Sequence, residues 1–335
     1  MLSRLPPRRS NAALRSAAQG QTSRTIIIAL VANLAVAAAK LVAGLLSGSA
    51  GLLAEAGHSL ADSLNEMFLG ISLVRGGVPA DLAHPLGHGR ERFLWAFMAA
   101  MASFLIGGCL SIALAIWALL KGGSTENPLV AWVVLAVSFM ADGSSLVQSL
   151  RQARREAQQR GVPLPRYLLR SSDPALRAVV VEDSAALVGV GLAALGLLLS
   201  ELLGTNTPDA LASLLIGLLL AITAFGLARP VADLLVGRSL PADQLQQLLE
   251  ILTKDPAIDE VLALQAVYTG PQEAIVAAKV HPAVGLTIDQ LTRAMDGLDS
   301  VVRSALPEVA DVYVDVTTYR LSTLPVGRRP VDGKE

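Results

Sequence analysis

The chain has 335 residues, 53% of them hydrophobic and 16% charged, with a formal net charge of −1 and a mean hydropathy of +0.53. That is too apolar for an ordinary soluble domain, and the balanced charge points to no nucleic-acid partner. The single cysteine, Cys109, excludes intramolecular disulfides and cysteine-rich metal sites.

Residues 1–24 carry Arg4, Arg8, Arg9, Arg15 and Arg24 and no acid. They lack the apolar core of a secretory signal and read as a disordered basic tail on the cytoplasmic side. A mitochondrial transit peptide is the alternative for an acid-free leader of this kind. Six apolar runs of membrane-spanning length follow, at 25–46, 50–74, 93–120, 128–150, 175–199 and 208–227. The connections after the second and fourth runs hold the excess cation. Arg75, Arg90 and Arg92 follow the second; Arg151, Arg154, Arg155, Arg160, Arg166 and Arg170 follow the fourth. By the positive-inside rule both termini are cytoplasmic.

The stretch 54–66, AEAGHSLADSLNE, lies inside the second run. His58, Asp62 and Asn65 are spaced i, i+4, i+7 and share one helix face, with Cβ atoms roughly 5–6 Å apart. Ionisable groups at membrane depth are costly and mark ion or proton paths. A His and an Asp one turn apart can hold an ion such as Zn²⁺ from a single helix. The alternative is that both only hydrogen-bond to neighbouring helices. Lys40, about 22 Å along the first run, is placed to snorkel to the far interface. Asp142 in the fourth run is placed to pair with a basic group near the cytoplasmic end.

Asp173-Pro174 is a helix start for the fifth run. Glu182 and Asp183 follow it and point about 100° apart, so only one of them can line a given site. Asp62 lies about 18 Å from the cytoplasmic end of its own run, so the two acidic helices can meet near mid-bilayer. The loop 78–92 holds Asp81, His84 and His88 in a D-x₂-H-x₃-H spacing, close to that of metal ligands. The alternative is a polar turn with inert histidines.

Composition changes after the sixth run. A helix at 242–254, strands at 258–269 and 274–281, a helix at 286–306 and a strand at 309–317 make an αββαβ, ferredoxin-like domain over 239–320. His281 and Asp315 are a weak metal pair within it. Residues 321–335 read as a disordered tail. The expected fold is an all-α six-helix transmembrane domain over 25–228 plus this small cytoplasmic α+β domain.

Taken together, these motifs resemble the cation diffusion facilitator family of divalent-metal transporters. The second-run H-x₃-D is His58 and Asp62. The D-x₂-H-P-x-G-H-G loop is Asp81, His84, Pro85, Gly87, His88 and Gly89. The fifth-run aspartate is Asp183, and the sixth-run D-A-L is Asp209, Ala210 and Leu211. The resemblance covers nearly the whole chain. It implies a homodimer in a lipid bilayer that exports Zn²⁺, or Mn²⁺, Fe²⁺ or Co²⁺, in exchange for protons. The metal is then cargo, with no resident cofactor. The implied transport ligands are His58, Asp62 and Asp183, and the implied loop site is Asp81, His84 and His88.

The sequence departs from the family at Val179, where a His or Asp ligand is usual. Asn65, through its carbonyl oxygen, or a water is the candidate to complete the set. A non-transporting membrane scaffold is the second functional class, favoured only by that gap. No nucleophile–base constellation or phosphate loop points to an enzyme. The Ala-, Leu- and Arg-rich composition points to a bacterial inner membrane.

Overall fold

The structure is a computed structural model that describes residues 30–31, 33–121, 128–159, 161, 163–165, 167, 174–271 and 273–318. The expected tails at 1–24 and 321–335, and the first residues of the first run, lie outside the described residues.

The helices of the apolar half are α1 (Asn33–Ser47), α2 (Ala50–Arg75), α3 (Glu91–Lys121), α4 (Pro128–Gln159), α5 (Pro174–Leu203) and α6 (Thr207–Val236). Four of them, α3 to α6, contain stretches long and apolar enough to cross a bilayer. Helix α2 has 26 residues, about 39 Å at 1.5 Å per residue, but carries Glu55, Asp62 and Glu66 along its length. Helices α4 and α6 both run nine residues beyond the apolar runs that announce them, to Gln159 and Val236. Hydropathy reports the stretch suited to lipid, whereas the backbone ladder continues into polar sequence. In α6 it continues past Pro230.

Helix α3 contains a π-helical stretch, Ser103–Cys109, which no periodicity in the apolar run announced. Such wide turns occur often at functional sites. Small residues let α3 and α6 approach closely. A Cβ at Gly217 would lie 2.7 Å from Ile112 Cγ1 and 2.9 Å from the Ile112 nitrogen. This is the small-residue packing of helices in a bilayer, where no hydrophobic effect separates helix from lipid.

The N-terminus of α2 is tied to α6. Asp209, 1% exposed, accepts a hydrogen bond from Ser49 Oγ at 2.9 Å and from the Gly51 nitrogen at 3.2 Å. Ser49 Oγ in turn accepts from the Leu52 nitrogen at 3.1 Å. A carboxylate there meets unpaired N–H groups and the positive end of the helix.

The C-terminal half is αββαβ, as the pattern predicts. It comprises α7 (Ala242–Lys254), β1 (Ile258–Gly270), β2 (Glu273–Pro282), α8 (Ile288–Ala305) and β3 (Val309–Val316). The sheet order is β1-β2-β3, with β1–β2 antiparallel and β2–β3 parallel. Strand β2 alternates strictly: Ala274, Val276, Ala278 and Val280 face a core with Leu248, Leu252, Leu298 and Val302 of the helices. Thr287 and Gln290 form a capping box that starts α8.

The chain divides into two compact units. One holds the described residues up to Val74 with Trp95–Arg229. The other holds Arg75–Leu94 with the described residues from Pro230 onward. The histidine loop therefore belongs to the same unit as the αββαβ fold.

Candidate functional site

His58 is buried on α2, and its Nε2 lies 3.7 Å from Asp62 Oδ2 one turn on. That nitrogen has no hydrogen-bond partner. His58 and Asp62 line a small cavity with Ser103 of the π turn in α3, Glu182 and Ala185 of α5, and Leu220, Thr223, Ala224 and Leu227 of α6. The cavity volume is about 10 Å³, room for one water-sized occupant.

Of the adjacent acids on α5, it is Glu182 that lines this cavity. Its Oε2 accepts a hydrogen bond from Asn65 Nδ2 at 2.7 Å. Asn65, expected as a carbonyl donor to an ion, thus presents its amide to a carboxylate and fixes that carboxylate in place. Asp183 turns toward α4. It accepts from Ser145 Oγ at 3.1 Å to each oxygen and from Ser149 Oγ at 3.0 Å. Val179 is 37% exposed. Helical spacing left the choice between Glu182 and Asp183 open, because α5 is largely apolar and no stripe orients it, and the family resemblance pointed to Asp183, not to the acid that lines the cavity.

Lys40 does not snorkel. It is fully buried, with Nζ 3.0 Å from Glu55 Oε2 and 3.8 Å from Asp142 Oδ2. Asp142 likewise pairs inside the helix bundle and not with a basic group at the cytoplasmic end. Two carboxylates on other helices supply the counter-charge that makes burial tolerable, and neither is a sequence neighbour of Lys40. Glu55 carried no signal of its own in the stretch 54–66.

In the loop, one carboxylate gathers both histidines. Asp81 Oδ1 accepts from the backbone nitrogens of Ala83 at 2.8 Å and His84 at 2.6 Å. Asp81 Oδ2 is 3.1 Å from His88 Nε2, and Oδ1 is 3.4 Å from His84 Nδ1. The two imidazole rings are 4.2 Å apart. Gly87, at φ +82°, makes the turn that brings His88 back over Asp81. Among the described residues this is the only trio of His, Cys, Asp or Glu whose ligand atoms all lie within 4.8 Å of one another. Sequence reasoning missed Glu91, whose Oε1 sits 2.9 Å from His88 Nδ1. It can hold the Nδ1 proton and leave Nε2 to an ion, the usual outer-shell arrangement for a metal-bound histidine.

The hydrogen bond from His88 holds the Asp81 carboxyl well below the usual range, at about 2. Asp81, then Glu91, push His88 above the ordinary imidazole value. The signs are opposite. Asp81's contribution to loop order is present above the ordinary carboxylate range and lost as pH falls toward 2. That of His88 is full below its ordinary value and lost as pH rises through the raised one. With only four histidines in the chain, an NMR titration of labelled imidazoles can resolve each. His88 should titrate above about 6.5, and Asp81→Asn should bring it back toward that value. A wild-type His88 titrating at or below about 6.5 would contradict the geometry.

The weak C-terminal pair is not formed. His281 Nδ1 lies 3.6 Å from Asp259 Oδ2, and Asp315 pairs with Lys279 at 3.1 Å. The parallel register sets Asp315 beside Lys279, leaving His281 to the neighbouring strand β1.

A family profile described as the Cation efflux transmembrane domain matches residues 26–236. The mitochondrial proton-coupled zinc antiporter SLC30A9 of Xenopus laevis is 32% identical over 74% of this chain and 44% of its own length. Metal tolerance protein C4 of Arabidopsis thaliana is 29% identical over 75% of this chain and 55% of its own. The manganese efflux system protein MneP of Bacillus subtilis is 22% identical over 89% of this chain and 97% of its own. The chain thus spans about half the length of the first two. With its apolar helices it is an integral multi-pass membrane protein. The profile match over most of the chain, carried by the same helices that bring His58, Asp62 and Glu182 to one cavity, makes it a member of the cation diffusion facilitator family.

Proposed function

We propose that the protein is a divalent-cation efflux transporter that exchanges its cargo for protons by alternating access. Zn²⁺ is the first candidate, with Mn²⁺, Fe²⁺ and Co²⁺ as the other ions this donor set suits. The observation that carries the reading is the cavity lined by His58, Asp62 and Glu182, ionisable groups in an otherwise apolar helix bundle. It has room for one water-sized occupant. The assigned ligands are His58 and Asp62, which line the cavity, and Asp183, assigned on its motif position although it bonds Ser145 and Ser149 here; Glu182, oriented by Asn65, is a further carboxylate on the cavity wall. The loop trio Asp81, His84 and His88 is a second cation site. The metal is substrate, and we assign neither a resident cofactor nor an enzymatic reaction.

The ligands bind a cation only when deprotonated, so loading releases protons. On the opposite side protons compete for the same atoms and eject the ion. The reading includes six spans with both termini in the cytoplasm and a homodimer built through the αββαβ domain; the four long apolar helices support its membrane part. The composition supports a bacterial inner membrane, and the relatives named as mitochondrial make that organelle the second location. A non-transporting scaffold draws support from Val179 alone, and Glu182 in the cavity restores a donor that the scaffold reading takes to be missing.

The test is ion uptake into proteoliposomes with an imposed pH gradient, using Zn²⁺, Mn²⁺, Fe²⁺ and Co²⁺ in turn. Saturable flux of at least one ion, lost in Asp62→Ala, is the expected result. No flux of any ion from folded protein would favour the scaffold.

A further inference from the structure

A buried ion triad adjoins the cavity without lining it. Lys40 on α1 meets Glu55 on α2 and Asp142 on α4. Glu55 is fully buried, and its second oxygen, Oε1, has no hydrogen-bond partner. Helix α5 makes room for that oxygen: a Cβ at Gly189 would overlap it. Apolar residues of similar volume commonly stabilise a buried site as well as an ion pair does, so packing alone does not account for three charges here.

The triad is electrically coupled to the proposed transport site. Glu55 precedes His58 by one turn of α2. Glu55 in turn holds Lys40 Nζ at 3.0 Å, which keeps the ammonium beside the helix turn that carries His58 and Asp62. Lys40 is thus a fixed positive charge beside a site that must take up and release a doubly charged ion. Its field opposes the cation, whereas those of Glu55 and Asp142 favour it. Salt screens such buried charges much less than exposed ones. Coulomb energy scales with charge, so a divalent ion feels Lys40 twice as strongly as a proton at the same place.

We propose that Lys40, pinned by Glu55 and Asp142, is an internal counter-cation that weakens the hold of the adjacent site on a doubly charged ion and so favours its release. The proposal rests on His58 and Asp62 binding the cargo. It makes Lys40 a positioning charge and not a ligand.

The test is calorimetric titration of Zn²⁺, and separately Mn²⁺, into the full-length protein in detergent, on a background of His84→Ala and His88→Ala that removes the loop site so that Kd reports the membrane site. Lys40→Met should lower Kd by about tenfold or more and slow turnover in vesicles. Glu55→Gln should raise Kd by about tenfold. The double variant Lys40→Met/Glu55→Gln removes a neutral pair and should return Kd to near the wild-type value. Lys40→Arg should keep both affinity and turnover. If Lys40→Met does not fold, the comparison is between Glu55→Gln and the double variant, where removing the lysine must tighten binding.

A purely structural pair predicts instead that every disruptive variant weakens binding. Shifts in one direction for both Lys40→Met and Glu55→Gln, or no shift in either, would overturn the proposal. If the wild type binds neither ion, or His58→Ala leaves Kd unchanged, the transport-site reading has failed and the inference falls with it. If His58→Ala abolishes binding and the opposed shifts are absent, only the inference has failed.

Discussion

Glu182→Gln should lower proton-driven cation flux in proteoliposomes by about 100-fold or more while the protein stays folded. The amide keeps the shape of the side chain and an oxygen that can accept the hydrogen bond from Asn65, so the link between α2 and α5 survives. What is lost is a negative charge on the wall of a cavity with room for one ion. Of the groups that line the cavity only Asp62 and Glu182 carry negative charge beside His58, so Glu182→Gln leaves a divalent ion there facing a single carboxylate on the cavity wall. Asp183→Ala should also abolish flux, as its motif position implies. The two variants separate the assignments. Wild-type flux in Asp183→Ala together with loss in Glu182→Gln would make Glu182 the α5 ligand. Asp183 would then be a link to Ser145 and Ser149 of α4.

Asp209→Ala should destabilise the membrane domain by about 3 kcal/mol, without a matching loss of flux per folded molecule. The carboxylate is buried and accepts from Ser49 Oγ and the Gly51 nitrogen. Hydrogen bonds to an ionised acceptor are the stronger kind, and their loss leaves donors unpaired in an interior with no water to take them. It also removes the negative charge from the N-terminus of α2. Asp209→Asn keeps an acceptor and should fall between the two. Unfolding titrations in mixed micelles measure the difference. A loss below about 0.5 kcal/mol, the usual scale of surface substitutions, would mean that α2 is not held in this way. The helix so anchored is the one that presents His58 and Asp62, so a register error at its start would displace the site.

Much of the architecture was legible beforehand. Apolar runs marked the long helices because a bilayer leaves hydropathy as the dominant signal. Strand alternation and helical period marked the αββαβ fold because period is a local property. Helix ends at Gln159 and Val236 were not legible, since helix propensity outlasts the apolar stretch. The π turn at Ser103–Cys109 left no trace in the apolar run either.

By itself the sequence determined a multi-pass membrane protein with a small α+β appendage. It put His58 and Asp62 on one face of one helix, and Asp81, His84 and His88 in one short loop. Those are groupings within a few residues of chain, where spacing fixes geometry. Only the tertiary structure decided which α5 acid lines the cavity, that Asn65 serves Glu182, and that Lys40 is buried against Glu55 and Asp142. It also decided that His281 meets Asp259 and not Asp315. Each of these turns on the rotation of one helix about its axis or the register of one strand beside another. A helix that is apolar all round carries no mark of its own rotation, and a lone charge carries none of its partner.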